Sequence, residues 1–380
     1  MKLFLIAGEA SGDALGAALM AGLKTLAPGI AFHGVGGPRM EAEGLKSRFP
    51  MEELSVMGLV EILPKYRHLK RRIAETAAAV AELAPDALIT IDSPDFCLRV
   101  AAAARTLRPA LRTMHYVAPT VWAWRPGRAA KMAPVIDHVL ALFPFEPPYM
   151  EAAGMTCDFV GHPVVADRLG TADEAEAFRE THMIGADQPL LLCLPGSRRS
   201  EVTRLAPRFE EAIARLRDRE PTLRVVIPTV RGVSALVRGI VAGWKVVPLV
   251  VEGADDKRAA FAAADIALAA SGTVSLELAA NRIPMVIAHD FNWLTWQMMK
   301  RAALIDTVTL VNIVSETRTI PEFLGPACRP GPIAAALARL VDDEDARAAQ
   351  LSAMALTMDR LGQGGEAPGL RAARSVLAHL

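Results

Sequence analysis

Several short stretches place reactive side chains directly after apolar runs. In LCLPGSRRSE (192–201), Gly196, Ser197 and Arg198 follow an apolar run and open a helical pattern. Small residues let backbone N–H groups approach a phosphate, and a guanidinium offers a planar donor fork matched to phosphate oxygens. An ordinary strand-to-helix turn with surface arginines would carry the same letters. LAASGTVSLE (268–277) repeats the arrangement with Ser271, Gly272 and Thr273, any of which can serve as an N-cap. Glu277 completes no capping box, because the residues three after those candidates are Val274, Ser275 and Leu276. One turn inside the helix, its carboxylate suits the two hydroxyls of a ribose, or it is an exposed acid favoured by the helix dipole.

ITIDSPDF (89–96) ends an apolar run in Asp92, and Ser93 or Asp95 can cap the helix that follows. Asp92 is then free for general-base work, or else bonds neighbouring backbone N–H groups. LIAGEASGD (5–13) has the outline of a phosphate loop but carries Glu9 and Asp13, which would repel a diphosphate. Glu9, Ser11 and Asp13 therefore read as acceptors and a small donor for sugar hydroxyls or an amide, with Asp13 equally suited to capping a helix start. HYVAPTVWAWRPGR (115–128) sets Trp122 and Trp124 beside Arg125 and Arg128. The group fits a sugar or an acyl-phosphate head group, and it fits core packing with a snorkelled guanidinium as well. SVMGLVEILPKYRHLKRRI (55–73) joins an apolar patch to Lys65, Arg67, Lys70, Arg71 and Arg72. Tyr66, Leu69, Ile73 and Val80 recur at helical spacing, so this is an amphipathic helix facing the core, or a surface that meets acyl chains and anionic lipid. The only Asp-x-Asp, Asp343 to Asp345, follows a helix and reads as solvated surface, so no catalytic metal is expected.

These loops need strands and helices to hold them. Apolar runs at 2–7, 86–92, 111–117, 138–142 and 157–161 read as strands, with helical spacing at 14–26, 66–83, 95–107 and 145–153. After GHPVVADRLG, taken as a linker, strands recur at 189–195, 223–228, 244–250, 265–271 and 284–289. Helices are expected at about 200–218, 232–242, 256–263, 274–281 and 292–303. The expected fold is α/β: two tandem Rossmann-like doubly wound domains, 1–165 and 166–345, facing a cleft. Residues 346–380 read as helices that pack back on the first domain. Ligands of such sheets sit outside the carboxyl ends of the strands, where the loops above fall.

The chain has 380 residues, 42 Lys plus Arg and 42 Asp plus Glu, so it lacks the basic excess of a nucleic-acid binder. Its four cysteines form no C-x-x-C pair, which argues against a zinc site or disulfide framework and fits a reducing cytosol. No run approaches the roughly 20 apolar residues of a membrane span, and LFLIA is too short for a signal-peptide core. A cytosolic or peripherally attached protein is expected.

Taken together, AGEASGD, GVGGPRM, LSVMGL, DSPDF, YVAPTVWAWR, FPFE, FVGHP, LPGSR and ASGTVSLE resemble the lipid-A-disaccharide synthase family, glycosyltransferases of the two-Rossmann-domain GT-B class. The match runs in order from about residue 3 to 290. The resemblance implies inverting transfer of 2,3-diacylglucosamine from a UDP donor to 2,3-diacylglucosamine 1-phosphate, giving the lipid A disaccharide 1-phosphate and UDP. It implies that Asp92 is the essential acid and Arg198 the essential arginine, with UDP held by Gly196, Ser197, Arg198, Ser271, Gly272, Thr273 and Glu277. The acceptor side would take Glu9, Ser11, Asp13, Trp122, Arg125 and His162. Asn312 and Glu322 are further candidates, although GPAC stands after IPEFL where a Gln is expected. Family members lie on the cytoplasmic face of the inner membrane, which favours the lipid reading of 55–73. The chain also departs in PDFC, where the family has PDFN. A UDP-sugar epimerase on the same fold and a non-enzymatic UDP-sugar or lipid carrier are the rivals; oligomeric state is not legible.

Overall fold

The computed structural model describes residues 1–54 and 59–380. The chain divides into two compact units, 1–166 with 361–380, and 167–360. In the first unit the elements are β1 (Lys2–Ala7), α1 (Ala10–Leu26), β2 (Ala31–Val35), α2 (Pro38–Ala42), α3 (Leu59–Leu83), β3 (Ala87–Ile91), α4 (Pro94–Leu107), β4 (Arg112–Tyr116), α5 (Gly127–Met132), β5 (His138–Ala141), α6 (Pro147–Glu151) and β6 (Thr156–Phe159). The second unit holds α7 (Ala172–Thr181), β7 (Leu190–Leu194), α8 (Arg199–Arg219), β8 (Arg224–Thr229), α9 (Ser234–Val241), β9 (Leu249–Glu252), α10 (Ala254–Ala263), β10 (Ile266–Ala270), α11 (Val274–Ala280), β11 (Met285–His289), α12 (Trp293–Ala302), α13 (Leu310–Ser315), β12 (Glu322–Leu324), α14 (Pro330–Asp342) and α15 (Glu344–Arg360). The last helix, α16 (Pro368–Ala378), belongs to the first unit.

Among the described residues each unit has a six-stranded parallel sheet, in the orders β2-β1-β3-β4-β5-β6 and β12-β11-β10-β7-β8-β9. The central strands are buried at every residue, ALITI in β3 and LLLCL in β7, because helices cover both faces. In the first unit Phe4, Ile6, Leu88 and Val139 pack under Val100, Ala101 and Ala104 of α4. In the second, Leu191, Leu268 and Val286 pack under Leu205, Phe209 and Ile213 of α8 and under Ile333 and Leu337 of α14.

The sequence reading misses β2 and β12 and begins β9 too early. Pro248 has no N–H to donate to a ladder, so pairing starts after it, at Leu249. The C-terminal stretch also divides differently from the expectation of helices returning together to the first domain. Gln350 accepts the Met285 N–H at 2.8 Å and donates to the Met285 carbonyl at 3.1 Å, which holds α15 against β11 in the second unit. Only α16 returns. It crosses α1 where Gly22 and Gly369 meet: a Cβ on either would lie 2.6 Å from the other helix's backbone oxygen. Arg371 donates to the Phe159 carbonyl at 2.7 Å, and Ser375 bridges Asp158 and the buried His138 at 2.7 and 2.8 Å.

The proposed membrane segment 55–73 lies partly outside the described residues. Of the part described, Leu69 and Ile73 pack on the core, and Arg72 donates to both carboxylate oxygens of Glu53 at 2.8 and 2.9 Å. Arg72 therefore ties α3 to the preceding turn. Among the described residues no helix is long and apolar enough to cross a membrane. Asp343 accepts the Ala346 N–H at 2.9 Å and caps α15, the local role that an acid at a helix start favours.

Candidate functional site

In the second unit, the loops after β7, β8 and β10 open at the carboxyl edge of the sheet around a cavity of about 480 Å³. Gly196, Ser197, Arg198, Ser271, Gly272, Thr273 and Glu277 all line it, so residues some 80 positions apart in the chain share one wall. β7 and β10 are hydrogen-bonded neighbours, which is what brings the two turns together. Gly196 has φ +113° and Gly272 φ +148°, values that side-chain-bearing residues rarely adopt. At Gly196 a Cβ would also lie 2.5 Å from a Glu201 carboxylate oxygen.

Glu201 was not foreseen. Its Oε2 accepts the N–H groups of Ser197 and Arg198 at 3.2 and 3.3 Å, and its Oε1 accepts Arg198 Nη1 at 3.0 Å. It is the third residue of α8 and bonds back to the helix start, as a capping-box glutamate does. Arg198 is an unusual N-cap, which is why the spacing escapes a sequence reading. A carboxylate thus sits on the donors expected to take a phosphate, and these donors are anion-binding in the structure as it stands. Lys257, also unforeseen, lines the cavity and donates to Glu277. Ser271 Oγ lies 2.9 Å from Nδ1 of His289, whose pKa burial lowers. The buried hydroxyl of Thr229, on the same wall, has no hydrogen-bond partner among the described residues.

In the first unit, Asp92 follows β3 and its N–H continues the ladder to the Tyr116 carbonyl at 3.0 Å. Asp92 and Ser93 have φ of +53° and +44°, and Val117, after β4, has +84°. Left-handed backbone at non-glycine residues costs of order 1 kcal/mol or more and clusters at functional sites. Ser11 Oγ donates to Asp92 Oδ2 at 3.5 Å, so the structure brings these two expected residues together. Glu9 is the N-cap of α1, and its carbonyl accepts the Asp13 N–H at 2.9 Å.

Asp13 is placed elsewhere. It is 3% exposed, and its carboxylate accepts N–H groups from Gly37, Arg39 and Met40 at 2.9, 3.0 and 3.0 Å. Those groups form the start of α2, so Asp13 caps a second helix, which supports the structural one of its two readings. Trp122 and His162, also expected on the sugar side, are each 7% exposed. Trp122 stacks edge-on against Phe143 and Phe145 and donates to Glu146 Oε1 at 3.1 Å; His162 lies over Phe143 and accepts the Val164 N–H. Glu146 is itself buried and accepts the N–H groups of Leu142 and Phe143 at 3.0 Å. Burial pushes its pKa up to about 7 against the lowering effect of those donors, and burial pushes His162 down to about 4. Arg125 is exposed, with φ +52° and its guanidinium 4.0 Å over the Trp124 ring. Asn312 and Glu322 are committed to the chain around them. Asn312 bonds both the N–H and the carbonyl of Ile320 at 3.0 Å, and Glu322 accepts from Thr307 and from the Val308 and Thr309 N–H groups.

Two doubly wound parallel units, the second with two glycine turns opening on one cavity, make up a GT-B-like fold. Residues 3–367 match the family described as lipid-A-disaccharide synthetase (LpxB). The chain is 61% identical to the lipid-A-disaccharide synthase of Ruegeria pomeroyi, covering 100% of this chain and 96% of that one. It is 48% identical to that of Rhodospirillum centenum, covering 99% and 94%. The chain belongs to the lipid-A-disaccharide synthase family. Among solved structures it is similar in fold to the UDP-GlcNAc 2-epimerase of Neisseria meningitidis bound to UDP-GlcNAc, with TM-score 0.67 and 12% identity, covering 100% of this chain and 99% of that one. A putative UDP-N-acetylglucosamine 2-epimerase from Listeria monocytogenes gives TM-score 0.63 at 15% identity, covering 99% and 95%. At such identities the epimerases share the fold, while the family match decides for lipid A disaccharide synthesis over the epimerase rival.

Proposed function

We propose that the protein transfers 2,3-diacylglucosamine from its UDP derivative to 2,3-diacylglucosamine 1-phosphate, with inversion, giving the β-linked disaccharide 1-phosphate and UDP. The observation that carries the donor half is the convergence of two glycine turns, Arg198 and Lys257 on one cavity. In this reading the diphosphate replaces the Glu201 carboxylate on the Ser197 and Arg198 N–H groups, and the ribose hydroxyls take Glu277 from Lys257. As the bond to the anomeric carbon breaks, charge grows on the diphosphate; fixed N–H donors, Arg198 and Lys257 stabilise it, and the proposal calls for no metal.

Asp92 acts as general base toward the acceptor hydroxyl. Its support is geometric: a carboxylate at a strand's carboxyl end, on strained backbone, contacted by the Ser11 hydroxyl. Glu9, Ser11 and Arg125 remain on the acceptor side of the proposal, whereas the bonds made by Asp13, Trp122, His162, Asn312 and Glu322 support structural roles. The apolar and basic stretch 55–73 is proposed to attach the protein peripherally to the cytoplasmic face of the inner membrane. The test is product analysis after incubation with both acylated substrates. A β-linked disaccharide supports the proposal; an α-linked product, or an epimerised UDP-sugar with no disaccharide, overturns it.

A further inference from the structure

A second cavity of about 480 Å³ lies in the first unit, between the start of α4 and the segment from Arg125 to Met132. Its walls are of two kinds. Pro94, Leu98, Pro119 and Met132 are apolar, while Arg125, Arg128 and Lys131 bring three positive charges and Asp95 a single negative one. None of the three cations makes an ion pair or a side-chain hydrogen bond among the described residues, although Arg72, Arg105 and Arg258 in the same chain are paired with carboxylates. Arg125 is held by its stack on Trp124 and by its left-handed backbone. The helix α4 begins at this cavity, and no side chain caps it. Its dipole adds to the positive potential there.

A net charge of about two positive units in a partly apolar hollow matches a dianion better than a monoanion. It also matches a molecule that carries hydrocarbon beside its phosphate. Pro94 follows Asp92 by two residues, so the cavity adjoins the turn that holds the proposed base. We propose that this cavity binds the phosphate monoester of an acylated sugar phosphate, the acceptor's 1-phosphate, with Arg128 and Lys131 as its principal ligands. The proposal rests on the transferase reading above and adds the place where the acceptor's charge is held. A phosphodiester head group of an anionic bilayer lipid shares part of the chemistry and is separated from the acceptor by the test.

The test uses the full-length protein and the variants Arg128→Ala, Lys131→Ala and the double variant. Calorimetry with 2,3-diacylglucosamine 1-phosphate reads binding without turnover, and kinetics compare this acceptor with its counterpart lacking the phosphate. Each single change is expected to weaken binding and raise KM for the phosphorylated acceptor about tenfold, and the double change about a hundredfold. The dephosphorylated acceptor should shift by less than about twofold and UDP affinity should stay level. Arg128→Lys should restore part of the loss. Equal penalties for both acceptors, or unchanged affinity for the phosphorylated one, overturn the proposal. So does loss of binding to phosphatidylglycerol vesicles with acceptor binding intact, which would assign the cavity to the bilayer. Phosphate-dependent binding that the variants abolish, in a wild-type protein that makes no disaccharide, would keep the subsite and remove the transferase reading.

Discussion

Asp13 gives the sharpest separation between a structural and a substrate-facing acid. Replacing it by alanine leaves the N–H groups of Gly37, Arg39 and Met40 without their acceptor. At about 1 kcal/mol for each orphaned donor, the loss is about 3 kcal/mol. In a unit of this size 1 kcal/mol moves the melting temperature by about 2–4 °C, so Asp13→Ala should lower it by about 6–12 °C. Asp13→Asn is milder: its carbonyl oxygen keeps Gly37 and Met40, while its amide nitrogen faces the Arg39 N–H, a donor against a donor. A cost of about 1–2 kcal/mol follows. The assay is thermal unfolding monitored by circular dichroism, paired with kcat measured well below the transition. The reasoning requires Asp13→Asn to retain kcat within a few-fold while melting lower. An unshifted melting temperature with turnover reduced a hundredfold would refute it and return Asp13 to the substrate.

Three further outcomes follow from the site. Asp92→Asn should lower kcat by about 10²–10⁴, the usual worth of a general base, and leave UDP affinity near wild type by calorimetry; near-normal turnover would remove Asp92 from that role. Arg198→Ala should weaken UDP at least about tenfold and uridine hardly at all, because the guanidinium addresses phosphate; equal effects on both ligands would place Arg198 outside the phosphate site. Glu146 supplies a pH dependence. Its pKa is about 7 in the folded chain and near 4.5 unfolded, so between those values the native state binds more protons and stability falls as pH rises. The shift amounts to about 3 kcal/mol, fully expressed above pH 7 and absent below pH 4.5. His115 and His162, lowered to about 4, act oppositely: stability falls as pH drops from 6.5 toward 4. The difference in unfolding free energy between wild type and Glu146→Gln, measured by urea titration across pH 4–8, isolates the glutamate. It should shift against the wild type as pH rises, and a pH-independent difference would contradict the burial argument.

How much of this was legible depended on whether a residue's partner lay nearby in sequence. The buried strands of both sheets are continuous apolar runs, and the turns that follow β7 and β10 carry small residues and glycine, so strands and phosphate loops stand out together. β2 has a His and a Gly within five residues, and β12 has only three residues, too little pattern for either to register. At Asp13 and Trp122 the sequence leaves ligand and structural roles both open because their partners, the start of α2 and Glu146, are 24 or more residues away. Glu201 had a local signal, its spacing of three from Arg198, masked by an N-cap that is not one of the usual residues. Lys257 has no local signal: it reaches Glu277 only because α10 and α11 flank one strand. Cys97, the residue that departs from the expected motif, is fully buried against the first unit's core, with its thiol pKa raised by burial. At that position the chain packs an apolar group.

The central claim is that UDP is released by transfer to an acceptor. UDP release from UDP-2,3-diacylglucosamine, measured with and without 2,3-diacylglucosamine 1-phosphate, tests it directly. The account predicts stoichiometric UDP and disaccharide when both are present and neither when the acceptor is omitted. UDP release or epimerisation at the same rate without acceptor would contradict it.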